Sequence, residues 1–103
     1  MGYFINTLAP NEKRVLTFDF TSDLSDTETL IGSPTVTISV VIGTDSTPSS
    51  IQDGEVEFDS TNKMVLFPMQ AIIADNDYNI TIVANTTNIH KIVSMSGIIS
   101  IKR

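Results

Sequence analysis

Cysteine and tryptophan are absent from this 103-residue chain, and histidine occurs once, as His90. Without cysteine there are no disulfides and no thiolates for zinc or redox chemistry. Without tryptophan there is no broad indole platform for stacking sugars. A single histidine cannot build a histidine-rich metal site. A dyad through His90 would need a hydroxyl nucleophile beside it. Serine and threonine are so abundant here that one nearby carries no weight, and a surface role is expected. Lysine and arginine are missing from Val15 to Asn62, a span that holds nine acids from Asp19 to Asp59, and the net charge is −6. Such a chain repels a phosphate backbone, so nucleic-acid binding is not expected. Long apolar runs are missing too. Residues 64–69 have the length of a strand, and residues 1–5 are too short for a signal-peptide core or a membrane span. The expectation is a protein made and used in a reducing compartment, or released by lysis, with no membrane partner.

What fills the chain is β-formers. Ile, Val and Thr account for 35 of the 103 residues, and they fall in alternating runs cut by polar turns. The clearest is residues 35–42, where Val36, Ile38, Val40 and Ile42 alternate with Thr35, Thr37, Ser39 and Val41. Period two over such a run means a strand with one dry face and one wetter face. Residues 14–21 alternate in the same way through Leu16, Phe18 and Phe20, and residues 77–84 through Tyr78, Ile80 and Ile82. Weaker runs cover residues 29–31, 52–59, 63–69, 90–94 and 98–102, with Gly97 read as a bend between the last two and residues 70–74 as one helical turn. Between them lie turn-forming clusters at residues 22–28, 43–50, 60–62 and 85–88. The length allows one domain. The pattern predicts an all-β sandwich of about seven to eight short antiparallel strands over residues 13–103, preceded by an extended N-terminal arm at residues 1–12.

That arm carries Tyr3, Phe4, Ile5 and Leu8. Leaving two aromatics and two aliphatics in water is costly, so they are expected to dock, either on this domain or on a neighbouring subunit. They are the candidate partner-binding residues. On that reading, deleting residues 1–9 weakens assembly and leaves the domain folded.

Signals for chemistry are sparse. Asp75-Asn76-Asp77 and the group Asp23, Ser25 and Asp26 offer clustered oxygens that suit a hard cation, but neither has EF-hand spacing. Asp and Asn in turns also satisfy nearby backbone amides with no metal present. No glycine-rich phosphate loop occurs. Catalytic residues, metal ligands and cofactors are therefore all expected to be none. Tyr78 follows a tight acidic turn and opens a strand, the place where sandwich domains put a structural tyrosine whose hydroxyl ties back to upstream backbone.

The order of these features resembles a known family. An arm with Pro10 leads to Lys13-Arg14, then Leu16-Thr17-Phe18 and Asp19-Phe20-Thr21. Leu24, Ile31 and the run from Val36 to Ile42 follow, and Tyr78-Asn79-Ile80-Thr81 comes late. This resembles the small immunoglobulin-like virion proteins of tailed bacteriophages, in particular the fiber-tail adaptor type. The turn before the tyrosine is often glycine-rich there, and here it is Ala74-Asp75-Asn76-Asp77. The resemblance implies an immunoglobulin-like fold, no enzymatic activity, and a virion protein made in the host bacterial cytoplasm. It also implies assembly in several copies, as a homo-oligomer, with tail, neck, baseplate or fiber proteins as partners. The alternative expectation is an outward-displayed adhesive or carbohydrate-binding sandwich using loops such as residues 43–50.

Overall fold

A computed structural model describes the backbone of residues 2–102 and the side chains of residues 7–102. Seven strands form two sheets: β1 (Gly2–Leu8), β2 (Lys13–Asp19), β3 (Leu30–Ile42), β4 (Glu57–Phe58), β5 (Met64–Gln70), β6 (Asn76–Thr86) and β7 (Ile92–Ile101). One sheet has the order β1-β7-β6-β3 and the other β2-β5-β4. The chain is an all-β sandwich. Its partition of β3, β6 and β7 from β2, β4 and β5 is the one found in immunoglobulin-type sandwiches.

Alternation dictates which residues the sheets bury. Leu16 and Phe18 on β2 and Val65, Phe67 and Met69 on β5 face Tyr78, Ile80, Ile82 and Ala84 on β6 across one core. The Phe18 and Phe67 rings meet edge to face, 6.4 Å between centroids, the arrangement that ring quadrupoles favour. Asn11, Asn62 and Asp75 adopt positive φ, which Asn and Asp tolerate better than most residues. Asn62 and Asp75 stand in connections that the sequence marks as turns, and Asn11 stands in the connection between β1 and β2.

Several elements differ from their expected outlines. Residues 2–8, expected as an extended arm, are extended and lie on the domain itself as β1. That strand pairs in parallel with β7, Gly2 beside Met95 through Leu8 beside Ile101, so one strand pair departs from the antiparallel pattern. The two runs at residues 29–31 and 35–42 are one strand, β3, carried through an irregularity at Gly32, Ser33 and Pro34. Gly32 has φ +71° there, and Pro34 is tolerated because β3 is an edge strand. A second irregularity inserts Val41, so Val40 pairs with Tyr78 and Ile42 with Asp77. This extra residue turns Ile42 away from the core and leaves it 56% exposed. Gly97 makes no bend. It pairs with Ile80 inside the continuous strand β7. Residues 70–74 form no helical turn, Gln70 being the last residue of β5, and of the run at residues 52–59 two residues are strand.

Candidate functional site

The residues singled out in the sequence do not come together. Leu8 is buried in the core at 1% exposure, where a partner cannot reach it. The side chains of Tyr3, Phe4 and Ile5 lie outside the described residues, although their backbone pairs with β7. His90 is exposed in the β6–β7 loop, and its amide hydrogen-bonds the Asn88 side chain. The three residues of the Asp75-Asn76-Asp77 turn diverge. Asp75 is exposed, Asn76 turns into the core and Asp77 pairs with Lys102 at 3.7 Å. Among the described residues no three His, Cys, Asp or Glu side chains cluster closely enough to hold a metal ion.

Tyr78 is fully buried, and its hydroxyl makes a different tie from the one expected. It donates to Asp45 Oδ2 at 2.8 Å and accepts from Asn76 Nδ2 at 3.2 Å. Asn76 Nδ2 also reaches the Thr44 carbonyl at 3.1 Å. The partner of the hydroxyl is thus a carboxylate from the loop after β3, and no upstream backbone group takes its place. Burial raises the Tyr78 pKa. The Thr47 amide, then the Tyr78 hydroxyl, lowers that of Asp45. This arrangement fixes the loop after β3.

The surface feature that the sequence reading missed lies at the opposite end of the same sheet. Ile89 is 88% exposed, Ile92 66% and Ile31 45%. They border one shallow concavity of about 220 Å³ together with Asn85, Thr86 and Lys91. The β6–β7 loop that presents Ile89 is braced. Thr86 Oγ1 lies 3.0 Å from the Asn88 carbonyl and 2.9 Å from the Lys91 carbonyl, and accepts the Asn88 amide. Glu28, from the loop before β3, accepts from Lys91 Nζ at 2.6 Å, the Ser25 amide at 2.8 Å and Asn88 Nδ2 at 3.1 Å. The Lys91 ammonium, the Ser25 amide and the Asn88 amide hold the Glu28 pKa at about 2. The cation that could have repelled a basic partner is thereby neutralised. Ile89 stands out on this fixed loop, with Ile31 of β3 and Ile92 of β7 exposed beside it. The signal was present in the sequence as an isoleucine inside the polar stretch Asn85-Thr86-Thr87-Asn88-Ile89-His90.

The remaining outer face of the larger sheet has a different character. Its rows follow the register of β3, β6 and β7: Thr35-Val83-Ser94, Thr37-Thr81-Ser96 and Ser39-Asn79-Ile98. Ile31-Asn85-Ile92 closes one end and Ile42-Asp77-Ser100 the other. Of these residues Asp77 alone is charged. No family model, curated protein or solved structure matches this chain.

Proposed function

We propose that this chain is a non-enzymatic structural protein of a bacteriophage virion, an adaptor that joins tail, neck or baseplate to fibers through protein–protein contacts. The observation that carries the contact role is the patch of three exposed isoleucines, Ile89 on the β6–β7 loop fixed by Glu28, Thr86 and Lys91, with Ile31 on β3 and Ile92 on β7 beside it. Three such side chains in water are unfavourable, each forgoing on the order of 1 kcal/mol or more that burial would supply. Packing against neighbouring chains, whether partner proteins or further copies, would recover it. The phage setting rests on the resemblance of residues 10–101 to the adaptor type. Assembly then proceeds by shape and apolar contact, with added backbone pairing at the free edge of β3 as a further mode.

Immunogold electron microscopy with an antibody against the folded domain tests the setting. Label at the neck or baseplate of particles from the source culture supports the adaptor reading. Label along fibers or across the capsid supports decoration or adhesion instead, and unlabelled particles remove the virion assignment. The contact role has its own test: Ile89→Ser is expected to abolish incorporation into particles while the purified domain keeps its unfolding midpoint.

A further inference from the structure

We propose that the outer face of the β1-β7-β6-β3 sheet is a self-association surface, on which two copies of this chain pack face to face about a two-fold axis. The inference rests on the proposed assembly role in so far as that role calls for several copies, and it names the contact between them.

Charge is the first argument. The chain carries −6, so two copies repel, and a close contact must avoid setting like charges against each other. The outer face of the smaller sheet exposes Lys13, Asp19 and Glu57. Among the described residues on the outer face of the larger sheet Asp77 alone is charged, at its margin, with the Lys102 ammonium 3.7 Å away. Solvated surfaces carry charge on roughly a quarter to a third of their residues. Depletion of charge over a whole face is the mark of an interface centre.

Part of the polar surface on this face is already paired. Thr81 Oγ1 and Ser96 Oγ hydrogen-bond each other at 2.8 Å, and Asn79 Nδ2 donates to Thr81 Oγ1 at 3.2 Å. Covering these groups costs less than covering groups with no protein partner. Apolar residues sit where a two-fold axis would pair them. In an antiparallel arrangement the row with Ile31 and Ile92 of one copy lies over the row with Ile42 of the other. Ile89 stands on the loop beyond the face and remains open to a neighbour.

The area suffices. Four strands about 4.8 Å apart and five rows about 6.8 Å apart give a face of roughly 19 by 34 Å. Two such faces bury on the order of 1,200 Å², above the roughly 1,000 Å² that a specific interface needs. Packed sheets of this kind cross at about 30°. Thr81 and Ser96 lie in the middle row of the two central strands, close to the axis, so a charge placed there meets its own copy.

Sedimentation equilibrium of the purified full chain over a concentration series tests this. A reversible monomer–dimer equilibrium is expected. Thr81→Lys is expected to weaken it by more than about tenfold, because an unpaired charge would be buried twice. Thr37→Lys, at an exposed position of the edge strand, does the same and carries the test if Thr81→Lys does not fold. Thr17→Lys, on the outer face of the smaller sheet, leaves the equilibrium unchanged. A monomer at every concentration overturns the proposal. So does a dimer that survives both face variants, or one that Thr17→Lys weakens equally. None of these results touches the particle-labelling test, so the two readings fail separately.

Discussion

Tyr78 shows what a single hydroxyl does in this sandwich. Its ring fills the core, while its oxygen holds the loop after β3 through Asp45 and Asn76. Tyr78→Phe keeps the ring and removes one hydrogen bond from each of Asp45 and Asn76. It is expected to cost about 1–2 kcal/mol in urea unfolding and to speed amide exchange at Asp45 to Thr47. Unchanged exchange there would show that the loop is held by other means. Gly43 stands beside the same network. A Cβ on Gly43 would fall 1.9 Å from Asn76 Oδ1 and 3.2 Å from Asn76 Cα, at φ +100°, whereas one on Gly32 meets nothing within 4 Å. Gly32→Ala is therefore expected to cost about 1–2 kcal/mol, the strain of a left-handed alanine. Gly43→Ala costs visibly more, because Asn76 must leave its bonds. Equal unfolding midpoints for the two variants would contradict this. Neither relation could be read from the sequence. Tyr78 was visible as a turn-then-aromatic signal, but Asp45 lies 33 residues away, and nothing local links them.

Elements were legible where alternation is local and uninterrupted. β2, β5 and β6 follow their periods closely, since apolar residues at every second position leave a strand one way to bury them. β3 looks like two pieces in the sequence because Gly32-Ser33-Pro34 breaks the period without breaking the strand. Period two places Ile42 inward, and the insertion of Val41 changes its phase. β1 looks like an arm because its partner is the last strand, and nothing within residues 1–12 specifies pairing with residues 95–101. The pairing has a measurable consequence. Leu8 is a core residue and its carbonyl accepts the Lys102 amide at 2.9 Å. Leu8→Ala is expected to cost about 2–5 kcal/mol, and deletion of residues 1–9 to lower the thermal midpoint sharply, in place of the neutral effect that a free arm would give. The β6–β7 loop makes a second prediction through Glu28, whose pKa is held at about 2 against 4.5. The folded chain releases this proton more readily than the unfolded one. The stabilising contribution is thus complete above pH 4.5 and is lost as pH falls toward about 2. The urea midpoint should decline through that window. Glu28→Gln should flatten part of the decline, and Asp59, held at about 2 chiefly by the Thr61 hydroxyl, should supply another part. A Glu28→Gln profile parallel to the original would mean that the brace does not stabilise the fold.

Across the described residues, charge is unevenly placed. Glu57 lies on β4 and Asp53 and Glu55 on the loop before it, while the outer face of the larger sheet is nearly neutral. The sequence showed the acidic span between Val15 and Asn62. It could not show that strand order gathers the hydroxyl-bearing positions of β3, β6 and β7 onto one surface. If two copies meet there, their remaining charges still repel across solvent. Salt should then strengthen association, since screening at about 0.1 M already acts within roughly 10 Å. A dissociation constant that rises with salt in sedimentation would indicate a contact made by ion pairs. The sheet also has a property that concerns neither charge nor contact. Its first and last strands run parallel over seven paired positions, from Gly2 beside Met95 to Leu8 beside Ile101. Tension applied between the start of β1 and the end of β7 would slide these strands along each other, loading the slanted, evenly spaced bonds of the parallel ladder together. An antiparallel pair pulled from its open end would instead unzip bond by bond. A stretching load between Gly2 and Ile101 would therefore meet seven paired positions at once.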